Sequence, residues 1–162
     1  MIMPNNKIYV IDTNILINFS DWVPIRLNNI FWNDLEGLLA KDRWILLDVV
    51  VGEIKSSNKD LHNWCMKQKN NDRVKKIEDN DRNRAVEINN NFPMIDETTG
   101  RSTVDTYVIA YAEKHNLKIF SKESGRALDN QLFKIPDVCK ELSIPYTRTP
   151  KVFLREVGIT PN

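Results

Sequence analysis

Four acidic residues in this chain have the type and spacing to share one piece of chemistry, namely Asp12, Glu53, Asp105 and Glu123. Asp12 ends the apolar run in "IYVIDTN", Glu53 lies in "VVVGEI", Asp105 in "STVDTYVIAYA" and Glu123 in "KIFSKES". No arginine or lysine is dedicated to any of them. Lys55 and Lys122 flank the set, but adjacent residues on a strand or helix point away from one another. Carboxylates that converge without cations raise one another's pKa unless a divalent ion stabilises them. Oxygen-only donors suit Mg2+ or Mn2+ rather than zinc. His62 and His115 are the only histidines and stand in no metal-ligand spacing. The pattern therefore predicts a magnesium-type carboxylate site.

Each acid also has a plainer use. An aspartate after a strand caps the helix that follows. An acid in a first helical turn answers the helix dipole. A glutamate on a surface helix is usually just solvated, and one in a loop says little alone. The four together weigh more, because each falls next to a different predicted strand.

The hydrophobic pattern locates the elements that must position them. Residues Lys7 to Ile11 are β-branched and aromatic, as in a strand covered on both faces. Residues 13–19 switch to helical spacing, with Ile15, Leu16 and Phe19 on one side. Pro24 is the expected start of the next helix, where Ile30, Phe31, Leu35, Leu38 and Leu39 keep a helical period around Asp34. Trp44 to Leu47 form a second strand, followed by a short helix reaching Glu53. The polar stretch from Lys59 to Asn91 reads as helical, anchored by Leu61, Trp64, Val74, Ile77, Val86 and Ile88, with "NNDR" and "DNDRNR" as helix ends or turns.

"FPMIDETTGRS" is a loop by its Pro, Gly, Thr and Ser content. Then comes an amphipathic helix capped by Ser102 or Thr103, with Val104, Val108, Ile109, Tyr111 and Ala112 on its apolar face. "LKIFS" is a third strand, Pro136 starts a helix, and "IPYTR" is an edge strand. Thr149 and Pro150 open a closing helix. Strands alternating with helices predict an α/β fold, a three-layer α/β/α sandwich around a mostly parallel sheet. In such sheets ligands bind beyond the carboxyl ends of the strands.

Composition sets the outer limits. The 162 residues fit one domain spanning 1–162, with 41% hydrophobic and 28% charged residues. A formal net charge of +1 gives no global attraction to nucleic acid, so any such site must be a local patch. Cys65 and Cys139 form no CxxC pattern, which argues against metal-thiolate or disulfide frameworks and for a reducing cytoplasm. "MIMPNNKIYVID" lacks the features of a signal peptide. No apolar run approaches the roughly 20 residues that cross a membrane.

Taken in order, "VIDTNILI", "VVVGEI", "STVDTYVIAYA" and "KIFSKES" resemble the PIN-domain nucleases over about Ile8 to Gly158. "KIPDVCKELSIPY" with the following "FL" is similar to the tail of a bacterial PIN-like subgroup long named only as a domain of unknown function. The resemblance implies a single PIN-like nuclease domain in which Asp12, Glu53 and Asp105 bind Mg2+ or Mn2+. Ser121 and Glu123 would form the fourth acidic element. Many members have Thr and Asp there, so Glu123, one methylene longer, would meet a metal through water or serve a second one. Asn14 would orient Asp12 by hydrogen bonding, Thr13 would support the turn, and Ser102 would cap the helix carrying Asp105.

The expectation is thus a metal-dependent endoribonuclease that hydrolyses phosphodiester bonds of single-stranded or looped RNA. Arg101, Lys122 and Arg126 are the nearest candidates for phosphate contacts. The more distant Lys67, Lys69, Arg73, Lys75, Lys76, Arg82 and Arg84 read as solvated charges. Family resemblance further implies the toxin half of a bacterial toxin–antitoxin pair, with an antitoxin protein as partner and a homodimer as a further expectation. Two other readings stay open: a catalytically silent module that binds RNA or protein, and a housekeeping RNA-processing nuclease. A haloacid-dehalogenase phosphatase needs an Asp where Asn14 stands, and a dinucleotide-binding domain needs a GxGxxG after the first strand.

Overall fold

A computed structural model describes residues 8–159. Residues 1–7, on which the expectation about a signal peptide mainly rests and which include Lys7 of the expected first strand, lie outside the described residues. Five strands form one sheet: β1 (Tyr9–Ile11), β2 (Trp44–Leu47), β3 (Val74–Lys75), β4 (Lys118–Phe120) and β5 (Tyr146–Thr147). Their order is β3-β2-β1-β4-β5 and all neighbours are parallel. Among the described residues eight helices surround the sheet: α1 (Thr13–Trp22), α2 (Asn29–Ala40), α3 (Asp48–Glu53), α4 (Lys59–Asn70), α5 (Asp79–Asn91), α6 (Thr103–His115), α7 (Ile135–Leu142) and α8 (Pro150–Val157). The result is the expected three-layer α/β/α sandwich. Among the described residues, no helix is long and apolar enough to cross a membrane.

The register explains the layers. Tyr9, Trp44 and Lys118 are paired across three strands, and Ile11 and Phe120 across two, so these side chains share one face. There Tyr9 meets Phe153 of α8 edge-on at 5.0 Å, Phe120 stacks on Phe153 at 4.6 Å, and Trp44 stacks on Trp64 of α4 at 6.3 Å. Val10, Ile45 and Ile119 point the other way, towards the layer in which α6 packs on β1 and β4. Every residue of β1 is buried, which is why that strand shows no polar alternation.

Several local expectations need correction. Pro24 does not start a helix; its carbonyl closes a turn by accepting from the amides of Leu27 and Asn28. The helix starts at Asn29, because the Asn28 side chain accepts from the Phe31 amide and caps it. Its buried face is Trp32, Leu35 and Leu39, whereas Ile30 is exposed. Trp32 wins that face because its ring packs on Trp64 and its Nε1 donates to Val23 O at 2.6 Å. The stretch 59–91 is interrupted by β3, a two-residue strand, and Ala85 rather than Val86 is buried in α5.

Thr149 and Pro150 do open α8, although Thr149 makes no side-chain cap bond. The capping assignment for α2 predicts that Asn28→Ala costs about 1 kcal/mol, while Pro24→Ala costs clearly less. Denaturant titration of both variants checks the order; equal losses would count against Asn28 as the cap.

Candidate functional site

The strand order reverses at β1. The chain adds β2 and β3 on one side, then returns to place β4 and β5 on the other. Helical connections leave a crevice at the carboxyl edge of such a switch point, where ligands bind in open parallel sheets. Asp12 follows β1 and Ser121 follows β4 at that place. The Asp12 amide donates to Phe120 O at 3.1 Å, and the Ser121 hydroxyl donates to Asp12 Oδ2 at 2.9 Å.

A cavity of about 270 Å³ opens there, and all four predicted acids line it. Hollows of about 410 and 500 Å³ lie elsewhere, but each brings together no more than two acidic residues. The chemistry therefore points to the smaller one.

Asp12 is 3% exposed. It does cap α1, with Oδ1 accepting from the Asn14 amide at 3.2 Å, so the plain reading holds, and the same residue lines the cavity. Burial pushes its pKa up, and the hydrogen bonds from Ser121, Asn14 and Thr13 oppose the rise. The orienting group is thus the Asn14 backbone N–H together with Ser121; the Asn14 carboxamide is not among Asp12's partners. Thr13 does more than support the turn. Its buried hydroxyl donates to Glu53 Oε1 at 2.5 Å and ties α1 to the end of α3.

Asp105 lies in the first turn of α6, where the helix dipole favours its charge. Even so, burial, followed by repulsion from Asp12, Glu123 and Glu53, raises its pKa from 3.8 to about 8. The Ser102 hydroxyl opposes that rise. Ser102 occupies the N-cap position but makes no side-chain cap bond, and its backbone is left-handed at φ 75°. The preceding loop imposes this conformation. Asp96 Oδ1 accepts from the amides of Thr98 and Thr99, and the Asp96 amide donates to Arg101 O. A strained residue held by a closed loop is typical of positions that serve a site.

Glu123 Oε2 accepts from the Ile135 amide at 3.1 Å, while its own amide donates to Ser121 Oγ at 3.1 Å. Burial raises its pKa too, and nearby Lys134 and Arg101 moderate the effect. Of the three basic residues expected at the site, Arg101 lines the cavity. The Lys122 ammonium sits 4.0 Å from the centre of the Trp22 ring. Arg126 lies 3.7 Å over Phe133 and donates to the carbonyls of Asp129 and Gln131, in a different hollow. Ile17, one helical turn after Thr13, also lines the site, and its i+4 spacing is the signal that could have found it.

Among the described residues, none of the four acids forms an ion pair with lysine or arginine. Their hard oxygen donors fit Mg2+ or Mn2+ in chemistry. In spacing they ring the cavity rather than one point, because no three His, Cys, Asp or Glu side chains among the described residues converge closely enough to hold an ion. Cys65 and Cys139 contribute nothing here: both are buried and free, with thiol pKa pushed up to about 12 by desolvation.

Neutral Asp105 favours the folded chain fully below about pH 3.8, and that contribution is lost as pH rises through about 8. Asp105→Asn removes the titration. Its stability advantage over the wild type should grow between pH 4 and 8, reach roughly 1–3 kcal/mol and then level off. Urea unfolding across that range is the measurement, and a difference independent of pH would refute the assignment.

Comparison with curated proteins and with solved structures returns no match. A family model does match, over residues 9–160, from the first strand past the last helix. The chain belongs to that family, described as "Domain of unknown function (DUF4411)".

Proposed function

We propose that this chain is a metal-dependent ribonuclease of PIN-like type, acting on unpaired RNA in the cavity beyond β1 and β4. The observation that carries the proposal is the meeting of Asp12, Glu53, Asp105 and Glu123, from four separate places in the chain, around one cavity, with no ion pair to any of them among the described residues. Mg2+ or Mn2+ held by such carboxylates lowers the pKa of a bound water and neutralises charge that grows on a phosphoryl group.

The chain's own residues divide the remaining work. Asp12 is the fixed donor, held by Ser121 and by the Asn14 amide. Thr13 holds Glu53 through one carboxylate oxygen, Oε1. Glu123 likewise keeps Oε1 clear of the Ile135 amide. Arg101, on the rim, supplies a phosphate contact that an acidic floor cannot.

One finding favours the silent binding module instead: among the described residues, no three acids converge closely enough to hold an ion. Calorimetry with Mn2+ separates the two readings. The nuclease should bind the ion and gain about 2.7 kcal/mol of stability at a hundredfold excess over Kd, and Asp12→Asn should lose both effects. In an RNA cleavage assay, EDTA, Asp12→Asn and Asp105→Asn should each cut the rate at least about a hundredfold. Full activity in either variant, or in EDTA, would overturn the assignment.

The PIN-like resemblance also leads us to propose a toxin of a toxin–antitoxin pair, working in the cytoplasm and blocked by a partner protein over the cavity, with self-association as a further property. Growth arrest on expression of the wild-type chain, relieved by Asp12→Asn, is the expected outcome. Normal growth with an active nuclease would leave the housekeeping role.

A further inference from the structure

Three of the four tryptophans are buried: Trp32 is 1% exposed, Trp44 0% and Trp64 8%. Trp22 is 63% exposed. It ends α1, the helix whose first turns supply Thr13, Asn14 and Ile17 to the cavity. The Lys122 ammonium sits over its ring at 4.0 Å from the centroid, a cation–π contact that holds both side chains together. Lys122 lies between Ser121, which holds Asp12, and Glu123, which lines the cavity. The pair is therefore anchored in the segments that follow Asp12 and that carry Glu123.

We propose that Trp22 and Lys122 form a platform for single-stranded RNA, the indole stacking an unpaired base and the ammonium meeting its phosphate. This rests on the nuclease reading of the adjoining cavity and names how that site takes its substrate. Four acids repel a polyanion, so a strand entering the cavity needs cations outside it; Arg101 lines the cavity, and Lys122 adjoins Ser121 and Glu123 in the chain. Stacking requires a free base face, which unpaired RNA offers and a duplex does not. Leu27 and Ile30 are also exposed and would suit a protein surface. The cation on the ring, continuous with the acidic segment, favours a nucleic acid.

The test is fluorescence anisotropy with labelled single-stranded oligoadenylate, on the Asp12→Asn protein in EDTA, so that binding is read without cleavage. Trp22→Ala should weaken binding on the order of tenfold, and Trp22→Phe should restore most of it. Lys122→Ala should flatten the salt dependence by about 0.7 in log–log slope. A duplex of the same length should bind more weakly and be indifferent to Trp22.

Equal binding by Trp22→Ala, or no binding by the parent protein, overturns the platform. So does loss of self-association in sedimentation with RNA binding unchanged. If Trp22-dependent binding persists while the wild type fails to cleave RNA with Mn2+, the nuclease reading falls and the platform stands. If the wild type cleaves and Trp22→Ala matches it in KM and in binding, the platform falls and the nuclease stands.

Discussion

The hydrogen bond from Ser121 to Asp12 is buried where the two halves of the sheet meet, and it depends on β1 lying directly beside β4. A carboxylate at 3% exposure with no ion pair among the described residues is costly, and hydrogen bonds to the charged form are what make it tolerable, each contributing about 1.5–3 kcal/mol. Asp12 has such bonds from both halves of the fold, Ser121 on one side and the Asn14 amide at the start of α1 on the other. Sheet order, helix start and carboxylate position are thus one constraint.

The other acids follow the same rule. Each commits one oxygen or one neighbour to holding the scaffold: Glu53 receives the Thr13 hydroxyl, Glu123 receives the Ile135 amide ahead of α7, and Asp105 begins α6 behind a strained Ser102. The remaining oxygens surround one small cavity, where their charges raise the pKa of Asp105 further than burial alone would. A site assembled this way has a stiff base, and Arg101 is the one cation that lines its rim among the described residues.

Much of this is legible from residue pattern, and the misses have physical causes. The runs "YVI", "WILL" and "KIF" are apolar or nearly so because they are covered on both faces, so their strands are plain. β3 escapes a pattern reading because two residues leave no periodicity, and the α2 start does so because Pro24 and Asn28 both carry legitimate start signals. The resemblance implies that Asn14 orients Asp12 by hydrogen bonding; the bond is made by the Asn14 backbone N–H, a detail that residue identity does not encode. Nearness in the chain suggests Arg126 as a phosphate contact, whereas loop carbonyls and Phe133 hold it in another hollow.

The sequence by itself determined the α/β class, the parallel sheet and the identity of the acids, because burial on two faces and polar interruptions at strand ends are local, periodic facts. Tertiary structure alone decided that Asp12, Glu53, Asp105 and Glu123 share one cavity, that they ring it instead of closing on a point, and that Trp22 stays outside the core with Lys122 on its face. Those outcomes depend on strand order and on distances between segments up to about a hundred residues apart, and charge interactions that fall off with distance cannot be read until the distances exist.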